Sequence, residues 1–148
     1  MTEATKTVPF DHINLNEVDP QAQTTPNGVP MQFLITEAGI KTYDNTEKGG
    51  SAGSYIGFKF TVTNNETFSG RNYYASLFPD KEGSKMGTQR RLRILMDSTG
   101  IPQSGTIEQF LTDLVQQRAE FTAPLQESIQ KDGKTRQEVN LWRVAPVS

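Results

Sequence analysis

The chain has 148 residues, a formal net charge of −2, no cysteine and a single histidine. That length suits one domain with a real core. The absence of cysteine and the single histidine exclude disulfides, thiolate metal sites, a cysteine nucleophile and any multi-histidine metal site within one chain. Apolar residues make up 34%, charged residues 22% and aromatics 9%, so the chain is polar but able to fold. The near-neutral charge removes a global attraction to nucleic acid, so any such binding needs a local patch.

Residues 1–28 are polar, carry Pro9, Pro20 and Pro26, and have a local net charge of −3. They read as a mobile arm in front of a domain at 29–148, with an acidic balance able to shield a basic surface. The first ten residues have no apolar run of the kind a secretory signal needs, and no stretch is long and apolar enough to span a membrane. A soluble cytoplasmic protein is expected.

From Met31 the pattern is that of a strand, with Met31, Phe33 and Ile35 alternating against polar neighbours and Gly39 marking a bulge or bend. A glycine-rich loop follows at 44–54. Residues 54–64 give the clearest strand. Ile56, Phe58, Phe60 and Val62 point to a core, while Tyr55, Gly57, Lys59, Thr61 and Thr63 point away. After a turn, residues 70–79 form a third strand, with Tyr73, Ala75 and Leu77 on one side and Tyr74, Ser76 and Phe78 on the other. Only one of Tyr73 and Tyr74 can share the exposed face.

Residues 80–87 read as a polar loop and 88–99 as a helix with Leu92, Leu95, Met96 and Thr99 on one stripe, stopped by Gly100. A second helix opens at Thr106, which has capping-box spacing to Gln109; Ile107, Phe110, Leu111 and Leu114 form its buried face. Strands return at 119–129 and 135–147, joined by a hairpin at Asp132-Gly133. In the last strand Val139 and Leu141 oppose Trp142 and Val144, and Trp142 reads more readily as core than as surface. Three strands, a helical insertion between strands 3 and 4, and two closing strands make a mainly β chain (α+β by count). That is the order of the five-stranded oligonucleotide/oligosaccharide-binding barrel, the OB fold.

Catalytic signals are weak. His12 and Asp11 lie in the arm, and the loop carboxylates sit beside lysines as ordinary solvated charges. GGSAGS lacks the lysine and following helix of a phosphate-cradling loop. No enzyme, cofactor or metal is expected. The binding signal is stronger. Lys81, Lys85, Arg90, Arg91 and Arg93 give a local net charge of +4 over residues 81–93, suited to phosphate contacts. Tyr55 and Lys59 share the polar face of the second strand, and Arg71 with Tyr73 or Tyr74 on the third can lie alongside, Tyr73 being assigned to the site, so that rings stack on bases and cations meet phosphates.

The segments GSYIGFKFTVTN, FSGRNYYASLF, RRLRILMDSTGIP, TIEQFLTDLVQQRAEFTAPLQ and KDGKTRQEVNLWRV, in that order, resemble a family of small phage single-stranded DNA-binding proteins. The resemblance covers roughly residues 30–146. It implies an OB barrel, sequence-independent binding of single-stranded DNA, with RNA as a second candidate, and a part in phage DNA replication or recombination. Replication or recombination proteins and a second copy of the chain are the further partners it suggests. The alternative is a small barrel that binds, and inhibits, a phage or host protein.

Overall fold

A computed structural model describes residues 25–79, 85–129 and 132–147. The chain is mainly β. Strand β1 (Met31–Asp44) pairs antiparallel with β2 (Ala52–Thr63), which pairs with β3 (Asn72–Leu77). Two helices follow, α1 (Lys85–Thr99) and α2 (Ile107–Gln116). The chain then forms β4 (Glu120–Ala123), which returns to pair with the start of β1, and a separate hairpin of β5 (Leu125–Ile129) and β6 (Thr135–Val139). The curled four-stranded sheet runs β3-β2-β1-β4, and β6 lies against β3, so the two sheets enclose a barrel-like core. Among the described residues no helix is long and apolar enough to cross a membrane.

Period-two patterning builds this core. Met31, Phe33, Ile35, Ile56, Phe58, Phe60 and Val62 are all buried, as their alternation requires. Phe33 stacks on Phe121 with centroids 5.8 Å apart, and Phe60 meets Phe121 edge-on at 5.3 Å. These contacts fasten β1 and β2 to β4. The irregularity in β1 falls at Thr36, between Ile35 and Glu37, rather than at Gly39, which pairs in register with Gly57. The Thr36 hydroxyl donates to the Lys59 carbonyl at 3.1 Å, a bond that anchors the extra residue.

Leu92 and Leu95 of α1 are buried as the stripe predicts, while Met96 and Thr99 are half-buried. The helix begins at Lys85, three residues before the expected start at Thr88, and Gly100, at φ 74°, closes it. Thr106 caps α2 by accepting from the Gln109 amide at 3.1 Å. The Gln109 side chain turns forward to Asp113 (2.8 Å), leaving the capping box half made.

The expected fourth strand is two strands. Alternation through Ala119, Phe121, Ala123 and Leu125 holds, and all four are buried. Pro124 removes a ladder donor at the point where the chain leaves one sheet for the other. The expected last strand is shorter. After Val139, Asn140 accepts from the Trp142 amide at 3.1 Å and starts a 3₁₀ turn over Leu141–Arg143. With three residues per turn, Leu141 and Val144 share the buried side and Trp142 faces outward, 48% exposed. The expectation of a core tryptophan is therefore corrected. Ala145 then exchanges two backbone hydrogen bonds with Thr122 (2.9 and 2.8 Å), covering the outer edge of β4.

Residues 1–24 of the expected arm lie outside the described residues. Its last part is tied to the barrel. Thr25 is buried, its hydroxyl bonds the Tyr73 hydroxyl and accepts from Arg71 at 2.8 Å, and Gly28 donates to the Leu125 carbonyl at 2.9 Å.

Candidate nucleic-acid interface

Because Ile56, Phe58, Phe60 and Val62 point inward, Tyr55, Gly57, Lys59 and Thr61 occupy the outer face of the sheet. Register places their neighbours. Lys41 faces Tyr55, Gly39 faces Gly57 and Glu37 faces Lys59 across β1. Ser76 faces Gly57, Tyr74 faces Lys59 and Asn72 faces Thr61 across β3.

Three rings gather at the end of this face where β1 ends and β2 begins. Phe78, immediately after β3, stacks on Tyr55 with centroids 5.3 Å apart and planes 26° from parallel. Tyr43 closes the group at 6.0 Å from Phe78 and 6.3 Å from Tyr55. Two glycines let side chains lie flat here. A Cβ on Gly53 would meet the Tyr43 hydroxyl at 2.8 Å, so the tyrosine crosses the strand only because Gly53 is bare. A Cβ on Gly57 would sit 3.2 Å from Lys41 Cδ and Cε and 3.3 Å from Tyr55 Cε2, so the lysine stem crosses there. About four residues further along β2, some 13 Å at strand rise, Lys59 and Tyr74 are cross-strand neighbours on β2 and β3. Tyr74 is 50% exposed. Lys59 forms no ion pair within 4.0 Å among the described residues, although Glu37 is its cross-strand neighbour.

The structure thus places Tyr55 and Lys59 together on the outer face. Tyr73 lies on the other face of β3 with Ala75 and Leu77. Its ring meets Phe33 edge-on at 6.2 Å and its hydroxyl bonds Thr25. The exposed tyrosine is Tyr74, and the assignment of Tyr73 to the binding face is corrected for that reason. Arg71 is drawn to the same cluster: its guanidinium lies over Phe68, 5.0 Å from the ring centroid, and donates to Thr25.

The basic stretch divides around α1. Lys81 lies outside the described residues. Lys85 and Arg93 flank one side of the helix and share a cavity wall with Tyr55. Arg93 donates to both oxygens of Asp97 (3.0 and 3.1 Å), an exposed pair one turn apart. Arg91 takes the other flank. Its guanidinium sits 5.1 Å from the centroid of Trp142 and its Nε donates to the Gly87 carbonyl at 3.2 Å. Partial burial lowers its pKa from the ordinary arginine value and the nearby Glu138 opposes that shift; the group stays charged at any working pH. Arg90 is exposed between the two flanks. Of the expected residues, then, Tyr55 and Lys59 share the outer face, Lys85 and Arg93 border a cavity that Tyr55 also lines, and Arg91 lies on the other flank of α1.

Phe78 is outside the expected site, Lys41 and Tyr43 are not among its assigned residues, and Tyr74 takes the place expected for Tyr73. The signal for Tyr74 and Phe78 was present, because both alternate against Ala75 and Leu77. The rigid end of the hairpin was less visible. There Asp44 accepts from the Thr46 hydroxyl (2.6 Å) and amide (3.0 Å), and these bonds hold its carboxyl below the ordinary aspartate pKa against a slight desolvation. No protein-family model matches the chain, and no curated protein matches it.

Proposed function

We propose that this protein binds single-stranded DNA without sequence preference, on an OB barrel, in phage DNA replication or recombination. The observation that carries the reading is one face of one sheet. The Tyr43–Tyr55–Phe78 group, Lys41, Lys59 and Tyr74 lie together on the outside of β1, β2 and β3. Strands 2 and 3 are the ligand face of OB barrels. The path of the chain supports that fold: β1 to β2 to β3, then β6 beside β3, with β5 and β4 leading back to β1 and both helices between β3 and β4. The phage setting rests on the resemblance of residues 30–146.

The chemistry follows from the residue types. Each ring offers a stacking surface worth about 1–3 kcal/mol per base, and every base has such a surface. Lys41 and Lys59 meet phosphates and release counterions. These ring and lysine contacts read no base edge, so sequence tolerance is expected.

Anisotropy of a labelled oligo(dT) tests this against a duplex of equal length across a salt series. Single strand is expected to bind at least tenfold tighter than duplex. The affinity should fall with salt at a log–log slope of about −1.4, for two lysine–phosphate contacts at −0.7 each. Equal affinity for duplex and single strand, or no binding at low salt, overturns the proposal.

A further inference from the structure

Trp142 is the only tryptophan in the chain, and it lies outside the aromatic group of the outer face. The 3₁₀ turn capped by Asn140 buries Leu141 and Val144 and leaves the indole half in solvent. Across from it stands α1. A Cβ on Gly87 would lie 3.6 Å from the indole Cζ2 and 3.7 Å from Arg91 Nη2, so both side chains rest close against the helix at this bare position. Arg91 is held at its Nε by the Gly87 carbonyl, and its guanidinium braces the indole from one side. Such a contact is worth about 0.5–1 kcal/mol at an exposed site, which favours one ring position without burying the ring.

The surroundings are cationic. Arg90, three residues after Gly87, stands next to this flank of α1, and Arg143 follows the indole in its turn. Both are exposed. Arg90, Arg91 and Arg143 form no ion pair within 4.0 Å among the described residues. Glu138 attracts Arg91, but that carboxylate is half-buried, accepts from Gln126 at 3.4 Å and has Arg136 at 4.0 Å.

We propose that Trp142 is a second stacking point for the same single strand, with Arg90 and Arg143 taking phosphates next to the stacked base. This inference rests on the DNA-binding reading and extends its footprint to the η turn and the Arg91 flank of α1. Tryptophan and arginine also mark protein interfaces. The charge decides between the two: three arginines without an ion-paired carboxylate suit a polyanion. The indole then calls for an unpaired base, which a single strand offers and a duplex does not. Stacking on the indole face reads no base edge, so sequence tolerance is kept.

Because no other tryptophan exists, intrinsic fluorescence reports this position alone. An oligo(dT) of about 30 nucleotides exceeds the roughly 4–16 that one OB fold ordinarily occupies, so it can reach both places. Its titration should quench Trp142, with the same end point as the anisotropy. Trp142→Ala should weaken binding of this long strand about tenfold, the lower part of the stacking range, while Trp142→Phe stays within about threefold. The salt slope for the long strand should be about −2.8, against about −1.4 for the outer face alone, because two arginine contacts add about −0.7 each. Arg90→Ala combined with Arg143→Ala keeps the ring and the core and should return the slope to about −1.4. Fluorescence unmoved by the long strand while anisotropy rises overturns the assignment and leaves the outer-face reading intact; this is also the result if a protein partner covers the ring instead. An unchanged salt slope in the double variant overturns it as well. Absence of any anisotropy change at low salt overturns both readings.

Discussion

Replacing Tyr73 and Tyr74 one at a time separates folding from binding at adjacent positions. Tyr73 is half-buried, edge-on to Phe33, and its hydroxyl joins Thr25, Arg71 and Gln137 in one cluster, Gln137 donating to the Thr25 carbonyl. Truncating a fully buried aromatic costs about 3–5 kcal/mol. Partial exposure reduces that to roughly 2 kcal/mol, and the lost edge contact and hydroxyl bond add about 1 kcal/mol. Tyr73→Ala should therefore lose about 3 kcal/mol, a fall of about 1.5 M in the urea midpoint at a slope of about 2 kcal/mol per M. Tyr74 is 50% exposed and faces Lys59. Tyr74→Ala should cost less than about 1 kcal/mol of stability, the scale of one cross-strand pair. It should weaken oligo(dT) binding about tenfold, the lower part of the stacking range. The two variants are compared by urea unfolding and by anisotropy under conditions where both are folded. The opposite pattern, with Tyr74→Ala unstable and Tyr73→Ala deficient in binding, would mean β3 is shifted by one residue and would refute the face assignment.

Gly57→Val pushes Lys41 off the sheet and fills the space beside Tyr55. It should weaken oligo(dT) binding about fivefold while changing urea stability by less than about 1 kcal/mol. Arg118 holds φ 52° at the exit of α2, a left-handed conformation that costs a non-glycine residue about 1 kcal/mol. Arg118→Gly should raise stability by up to about that amount in urea unfolding. The lowered pKa of Asp44 means its carboxylate is preferred in the folded turn. Its contribution is present above the unfolded-state pKa and is lost as pH falls through the lowered folded value, so the turn is unaffected near neutrality and loosens only in acid. A carboxyl NMR titration should put the Asp44 midpoint below the ordinary value of about 3.9, and Thr46→Val should move it back up.

Where one face of an element is buried and regular, the sequence was readable. Ile56, Phe58, Phe60 and Val62 placed β2 and with it the outward direction of Tyr55 and Lys59. Thr106 announced α2 through its cap. Local geometry that no periodicity encodes was not readable. Trp142 leaves the core because Asn140 turns a strand into a three-residue helical turn. The bulge at Thr36 needs no glycine, since it is fastened by a threonine hydroxyl. The start of α1 was hidden because Lys85, Met86 and Gly87 add no apolar stripe. At the site, the arginines of residues 90–93 were recognisable as cations. Their partners across space, Trp142 for Arg91 and the cavity wall for Arg93, depend on how α1 rests against the rest of the chain.

Backbone NMR shifts recorded during titration with oligo(dT) test the central claim most directly. The account predicts that the largest changes fall on Lys41, Tyr43, Tyr55, Gly57, Lys59, Tyr74 and Phe78, the outer face of β1, β2 and β3. Saturating changes centred instead on the exposed side of α2 around Glu108 and Thr112, with the outer-face signals unmoved, would contradict it.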